Sequence, residues 1–427
     1  MTFALAAVPL ALLLLGFPIF LVLLTAVTAA LVFFMNVPLV VVHQNLFGSV
    51  NAVALLAVPF FIYAGELMGR GSVAHRLVDF VQGGVGPVRG SMGITTVGSA
   101  TIFGAISGAS AAAVATIGRI MVPAMRRAGY PEKFNAGLIT AVGAIDVVIP
   151  PSIPLIVYGT AAEESVARLY AAGVVPGLMI AGMLTVYVLW RARREKFGRG
   201  EPFDRRHFLH ATGRSLWALG APIIILGGIY GGVFSPTEAA AVACVYAAFV
   251  TAVVFRELSL RDIVEAAAAT VTFTGQILLI VACAGVFAWV LTVNQVPAAV
   301  AAWLQALDVS VWMVLLAINI LLLVVGCFLD PLSAILLLSP LLVPIVKAIG
   351  VDPIHFGIVV TVNLAIGLFT PPFGINIFVA QTVLGLKLET IYRGIIPFVI
   401  VYLIALGLIT YIPDISLVGV RYLLANR

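Results

Sequence analysis

Apolar stretches follow one another along almost the whole chain, near 3–34, 50–68, 91–125, 134–163, 166–190, 216–232, 235–255, 270–292, 296–306, 311–347, 354–385 and 395–413. About 20 apolar residues make one crossing of a bilayer, so the succession leaves room for roughly a dozen crossings. A water-soluble fold needs a charged exterior, yet 62% of the residues are hydrophobic and only 10% charged. That balance excludes a soluble enzyme, a disordered chain and a nucleic-acid binder. The runs are continuous rather than alternating, which excludes a transmembrane β-barrel. What remains is an all-α polytopic protein whose main partner is the lipid bilayer.

Two stretches are too long for one crossing and are interrupted inside. The first, 91–125, holds small and polar residues from Gly104 to Ser110; the second, 311–347, holds Asp330-Pro331-Leu332-Ser333. Each reads as a re-entrant helical hairpin that enters, turns and leaves on one side. Such a turn needs protein or a wet cavity around it. The only extended hydrophilic segment, Arg191 to Arg214, is strongly basic and therefore cytoplasmic by the positive-inside rule. With both hairpins re-entrant, all but Arg168, Lys347, Arg421 and Arg427 of the 23 Lys and Arg residues fall on the cytoplasmic side. The N-terminus then lies inside and the C-terminus outside. Met1 to Phe34 lacks a basic start and reads as a retained span, not a cleaved signal. Cys244, Cys283 and Cys327 stand alone in apolar surroundings, which suggests neither disulfides nor a zinc site.

The chain has two Pro-Pro pairs, Pro150-Pro151 and Pro371-Pro372, 221 residues apart. The same shift superposes Pro123 on Pro344, Gly129 on Gly350, Thr140 on Thr361 and Ala144-Ile145 on Ala365-Ile366. The topology puts the copies on opposite sides, so the repeat is inverted. Paired, interrupted hydrophobic segments of this kind point to a secondary transporter. Pro-Pro removes two N–H donors and disfavours helix before it. Each break thus leaves free carbonyls that suit Na⁺, followed by a helix N-terminus that suits an anion.

These residues resemble the large (M) subunit of tripartite ATP-independent periplasmic (TRAP) transporters over nearly the whole chain. The stretches that carry the resemblance are Gly98 to Ser110, Ile149 to Pro154 with Tyr158-Gly159, Phe234 to Ala241, Asp352 to Gly357 and Gly367 to Gly374. The resemblance implies an inverted-repeat, elevator-type fold with two re-entrant hairpins and two broken helices. It implies Na⁺-driven import of a small organic acid, such as a C4-dicarboxylate, a sialic acid or a 2-oxo acid. Na⁺ is the coupling ion, and no other cofactor is implied. The partners would be a four-span Q-type subunit, expected as a separate chain, and a periplasmic substrate-binding protein. The place would be the bacterial inner membrane, with the C-terminus periplasmic. The chain departs from the family pattern in three places: Ala109, where Ser is common; the pair Asp146-Val147, where Gly and Pro are usual; and Arg119, usually small. A stand-alone Na⁺/carboxylate symporter of the wider elevator class is the alternative. An intramembrane enzyme would need a Gly-x-Ser-x-Gly or His-Glu-x-x-His constellation, and neither is present.

The division expected is scaffold and an in-plane arm over 1–90, a first hairpin and broken helix over 91–163, scaffold, loop and second arm over 164–308, a second hairpin and broken helix over 309–386, and a last scaffold helix over 387–427. Candidate substrate contacts are Ser107, Ser110, Asp146, Ser152, Asp330 and Asn376. Candidate Na⁺ contacts are Ser107, Gly108, Ser110, Pro150, Asp330, Ser333, Thr370, Pro371 and Gly374. Asp146 and Asp330 are the two deepest acids, and an ionisable group at that depth marks function by default; Asp330 reads equally as an Asx-turn residue. Asn363 fits a ligand or an interhelical hydrogen bond. Glu66 and Arg70 are spaced as an i,i+4 pair, Glu238 as the acid of a capping box begun by Ser235, and His207 and His210 as loop residues. Glu163 and Glu164 fit solvated charge or a partner contact. Ser72 to Phe80 and Ser259 to Glu265 read as paired amphipathic arms.

In a background without native cysteines, a cysteine in the Arg191–Arg214 segment or at Arg127 will label only from the cytoplasm, and one at Gly350 only from outside. Labelling of Arg127→Cys and Gly350→Cys from one side would remove the inverted repeat.

Overall fold

The computed structural model describes residues 9–424 except 10, 14, 36, 199 and 201. The start of the opening span, Arg199 and Glu201 of the hydrophilic segment, and Arg427 lie outside the described residues. Among those described, helix follows helix and no strand forms. In lipid every main-chain donor and acceptor has to be satisfied within its own segment, and a helix does this locally.

The helices are α1 (Ile19–Phe34), α2 (Leu39–Val50), α3 (Ala57–Arg70), α4 (Val73–Val85), α5 (Ser91–Ser107), α6 (Ser110–Arg127), α7 (Glu132–Val142), α8 (Ile153–Ala162), α9 (Val166–Arg194) and α10 (Arg205–Tyr230). There follow α11 (Pro236–Phe249), α12 (Leu260–Val293), α13 (Val296–Ala306), α14 (Val311–Gly326), α15 (Pro331–Ala348), α16 (Pro353–Gly367), α17 (Ile375–Leu384), α18 (Leu388–Tyr411) and α19 (Asp414–Leu423). Seven described helices are long and apolar enough to cross a membrane alone. The shorter pieces come from the interrupted stretches. The sequence 91–125 divides into α5 and α6 around Gly108-Ala109, and 311–347 into α14 and α15 around 327–330. The stretches 134–163 and 354–385 each divide at a Pro-Pro pair.

The 221-residue repeat holds in three dimensions. Shifted by that number, Ser110–Arg127 falls on Pro331–Ala348, and the starts of α7, α8 and α9 fall within one residue of those of α16, α17 and α18. Packing is exchanged between the copies: α6 lies on α17, and α15 lies on α8. The α5–α9 and α14–α19 helices pack mainly on one another, as α18 on α7 and α9 on α19. Helices α1 to α4 and α10 to α12 form a second group, through α3 on α11, α2 on α12 and α4 on α10. The expected boundaries after 163 and 386 cut across this packing, because α9 and α18 lie with the hairpins and broken helices.

Several local expectations change. The basic segment is mostly helix: α9 runs to Arg194 and α10 starts at Arg205, so His207 and His210 sit on a helix. Lys and Arg are good helix formers, and their long stems let a spanning helix run on into the headgroup layer. The first arm forms as α4, with Val73 and Leu77 buried and Phe80 stacked on Phe208 at 5.7 Å. The second does not form a separate arm, since Ser259 caps a continuous 34-residue helix. The element that matches α4 under the 221 shift is α13. The capping box at α11 is present: Ser235 Oγ accepts from the Glu238 N–H, and Glu238 Oε2 accepts from the Ser235 N–H at 2.8 Å.

Helix α4 is tied down by Glu257, which follows α11. Its carboxylate accepts from the Ser72 N–H at 2.7 Å and the Ser72 hydroxyl at 2.5 Å, and meets Arg76 at 3.2 Å. The Arg76 guanidinium also covers the Phe255 ring, 3.8 Å from its centroid. Burial works to raise the Glu257 carboxyl, but the Ser72 bonds and Arg76 outweigh it and hold it below the ordinary carboxylate range. A depressed carboxyl stabilises the fold above its unfolded value and loses that contribution as pH falls through its folded value. Glu257→Gln will therefore destabilise the purified protein by about 1 kcal/mol at neutral pH. Melting curves should show the gap from wild type closing as the pH becomes acidic.

Candidate functional site

The first tip is built from the end of α5 and the start of α6. Gly108 takes a left-handed φ of 58°, which lets the chain reverse over two residues. A side chain at Gly108 would also meet the Pro151 carbonyl oxygen, 3.2 Å from where its Cβ would sit. The tip thus rests on the first break. There, α7 tightens into a 3₁₀ turn over Gly143–Val147 before the cis Pro150-Pro151 pair, and Ser152 starts α8.

Asp146 fills the junction. It is fully buried, and its Oδ2 accepts from the Ser107 hydroxyl at 3.2 Å. Its Oδ1 has no hydrogen-bond partner. Room for the carboxylate comes from Gly104: a Cβ there would lie 2.8 Å from Asp146 Cγ and 2.9 Å from its Cα. A buried carboxylate with one free oxygen is expensive unless a cation or donor completes it. Ser152, equally buried, is occupied within the break: its hydroxyl donates to the Val147 carbonyl at 2.5 Å and accepts from the Leu155 N–H.

The second tip lies against the second break. Glycine meets glycine there: a Cβ on Gly367 would stand 2.7 Å from Gly326 Cα. Phe328 and Phe373 meet at a tilt, with ring centroids 5.7 Å apart. Asp330 caps α15, accepting from the Leu332 and Ser333 N–H groups at 3.0 and 3.1 Å and from the Ser333 hydroxyl at 2.5 Å. The Asx-turn reading of Asp330 is what forms. The Thr370 hydroxyl donates back to the Ile366 carbonyl at 2.7 Å. Pro371, Pro372 and Phe373 are exposed, whereas Gly374 is buried and its N–H reaches the Thr370 carbonyl at 3.2 Å.

Ser110 and Asn376 join the two halves. The Asn376 amide donates to Ser110 Oγ at 2.8 Å and to the Thr140 carbonyl at 3.3 Å, and its Oδ1 accepts from Ser110 at 3.1 Å. Tip one, break one and the start of α17 therefore meet at one buried point. Under the 221 shift Ser107 matches Phe328, Asp146 matches Gly367 and Ser152 matches Phe373. The same scaffold carries a polar, buried junction in copy one and an aromatic, more exposed junction in copy two. Asp330, Ser333, Thr370, Pro371 and Gly374 belong to the second; Ser107, Gly108, Ser110, Asp146, Pro150 and Ser152 belong to the first, with Asn376 between them.

Asn363 makes the interhelical bond: its amide donates to Asn319 Oδ1 at 2.7 Å, and Asn319 reaches Thr410 at 3.2 Å. Glu164 pairs with Lys347 at 2.9 Å. Two features escaped the sequence reading. Gly104 was read only as part of the small-residue turn, without its contact with Asp146. Gly65 of α3 is the point where the first tip touches the other helix group, since a Cβ there would be 2.8 Å from the Ser107 carbonyl oxygen.

Residues 6–415 match the family described as the tripartite ATP-independent periplasmic transporter, DctM component. The chain belongs to this family. It is 43% identical over 373 residues to the C4-dicarboxylate TRAP transporter large permease protein DctM of Pseudomonas aeruginosa, covering 87% of each. It is 37% identical to the ectoine TRAP transporter large permease protein TeaC of Halomonas elongata, covering 98% of each. The isethionate TRAP transporter permease protein DctMQ of Oleidesulfovibrio alaskensis is 39% identical, and the match takes in 94% of this chain and 64% of that longer protein. Among solved structures, the YdaH transporter of Alcanivorax borkumensis superposes with a TM-score of 0.65 at 16% identity, over 90% of this chain and 88% of that one. That likeness establishes the fold alone. This DctM-family chain is a TRAP transporter large permease subunit with several membrane-spanning helices.

Gly104→Ala drives a methyl into Asp146 and will lower stability by about 1–3 kcal/mol, because overpacking a filled contact forces the partners apart. Gly213→Ala on α10, with nothing within 4 Å, is the control and should be neutral or slightly stabilising. Equal melting temperatures for the two variants would contradict the tight tip-on-break junction.

Proposed function

We propose that this chain is the moving membrane subunit of a Na⁺-coupled importer of small organic acids, working by an elevator mechanism in the bacterial inner membrane. The single observation that carries the reading is the paired contact of each helical tip with a break: Ser107 on Asp146 in copy one, Gly326 on Gly367 in copy two. Each pair places hydroxyls or main-chain carbonyls beside a fresh helix N-terminus, the combination that suits a cation and an anion together. Both hairpins are re-entrant in this account, and the two copies are inverted in the membrane.

At copy one, Na⁺ takes oxygens from Ser107, the Gly108 tip, Pro150 and the free Oδ1 of Asp146, with Ser110 and Asn376 closing the junction. At copy two, Asp330 and Ser333 order the tip, while Thr370, Pro371 and Gly374 supply main-chain oxygens. Two such sites mean at least two Na⁺ ions per cycle. A periplasmic binding protein delivers the acid, and a small four-span Q-type subunit completes the complex; the name DctMQ of one relative supports a partnership of this kind. The relatives' names span C4-dicarboxylate and ectoine, so the acid belongs to a broad class of small anions or zwitterions.

The test is uptake by liposomes holding the large and small subunits, supplied with the binding protein. Uptake will rise with external Na⁺. It will also rise with an inside-negative potential, which favours inward positive charge by about 2.3 kcal/mol per charge per 100 mV. Uptake indifferent to both overturns the proposal. In the same assay Asp146→Asn will need about tenfold more Na⁺ for half-maximal rate, the loss of one charge-assisted contact, at unchanged protein level. An unchanged Na⁺ requirement would remove Asp146 from the ion site.

A further inference from the structure

We infer that Arg70 is a carboxylate-binding residue on the cytoplasmic side of the first hairpin, receiving the acid group of the transported anion as it leaves the tip. The inference rests on the organic-acid reading above. A cavity of about 460 Å³ lies between α3, α12 and the first hairpin, and its lining includes Ser107 and Ala109 of the tip together with Glu66 and Arg70 of α3. Its volume falls within the range of small-molecule sites. Gly65, which touches the Ser107 carbonyl, and Arg70 are five residues apart on α3, a rise of about 7.5 Å. A small acid leaving the tip therefore meets the guanidinium within roughly one molecular length.

Arg70 is held loosely for an arginine of this protein. Its nitrogens stand 3.6 Å from Glu66 and 3.5 Å from Glu265, with about a third of the side chain exposed. Elsewhere Arg126 meets Glu132 at 2.7 Å, Arg393 meets Glu389 at 2.6 Å and Arg261 meets the same Glu265 at 2.9 Å. Charge-assisted bonds close to about 2.7–2.9 Å when both partners commit. Glu265 is committed to Arg261, and Glu66 shares the cavity wall. The planar fork of Arg70 is left able to take a carboxylate bidentately. Glu66, Glu265 and Asp262 all face Arg70, and an incoming acid competes with these longer contacts by offering a close bidentate one.

The test uses the reconstituted transporter without native cysteines, with Thr116→Cys as a reporter on the cavity wall. Labelling by an impermeant maleimide from the cytoplasmic face is measured against succinate, N-acetylneuraminate and pyruvate. At least one of these will slow labelling, and Arg70→Gln will raise its half-protecting concentration by about tenfold or more. Glu265→Gln, which frees Arg70 further, will leave that concentration equal or lower. Exchanging the charges, Arg70→Glu with Glu265→Arg, would restore a merely structural pair; here it will leave protection lost. Unchanged protection in Arg70→Gln, restored protection in the exchanged pair, or no protection by any of the three acids overturns the inference. If the same liposomes still take up one of these acids with Na⁺, the transporter reading stands without it; if they do not, that reading fails separately.

Discussion

A main chain that stops being helical inside a bilayer has to bring its own partners for the groups it frees. Two Pro-Pro pairs impose that condition at 150–151 and 371–372, and the rest of the fold answers it. Each break is covered by a helical tip from its own copy, and each half-helix that follows is packed by the long second arm of the other copy's hairpin. Glycines permit the contact where side chains would prevent it, at Gly104, Gly326 and Gly367. The free polar groups and the close approach have one origin. For that reason the structural solution and the candidate ion sites coincide.

Duplication supplies the geometry twice but not the chemistry. Copy one buries a carboxylate at Asp146 and hydroxyls at Ser107 and Ser152; copy two has Gly367, Phe328 and Phe373 at those positions. The buried carboxylate of Asp146 is answered only by the Ser107 hydroxyl, and its Oδ1 has no partner. At the aromatic junction the side-chain oxygens of Asp330, Ser333 and Thr370 are taken up in capping and backbone bonds. Under the proposed mechanism, the two junctions would therefore differ in the oxygens they offer an ion.

Much of this was legible in the sequence. Apolar run length gave the membrane, and small or proline residues inside over-long runs gave both turns. The 221-residue spacing gave the repeat to within a residue at its helix starts. Residues whose signal is covalent, as with Pro-Pro, or local, as with the Ser235–Glu238 box, were readable one at a time. What stayed hidden depends on partners far away in sequence. Gly65 and Gly104 look like any small residue until the opposing backbone is in place, and Asn376 meets Ser110 across 266 positions. The packing of α9 and α18 against the hairpins and broken helices was hidden for a similar reason. Both are ordinary long apolar helices, and only packing shows which group they join.

The central claim is that the two tip-and-break units travel as one body against α1–α4 and α10–α12. Paired spin labels measure this most directly, with one pair inside the body, at Thr116 and Val383, and one across the boundary, at Thr116 and Gly275. Changing Na⁺ and substrate in liposomes should shift the second distance distribution by several ångströms or more while leaving the first in place. A fixed distance across the boundary, or a change within the body, would contradict the account.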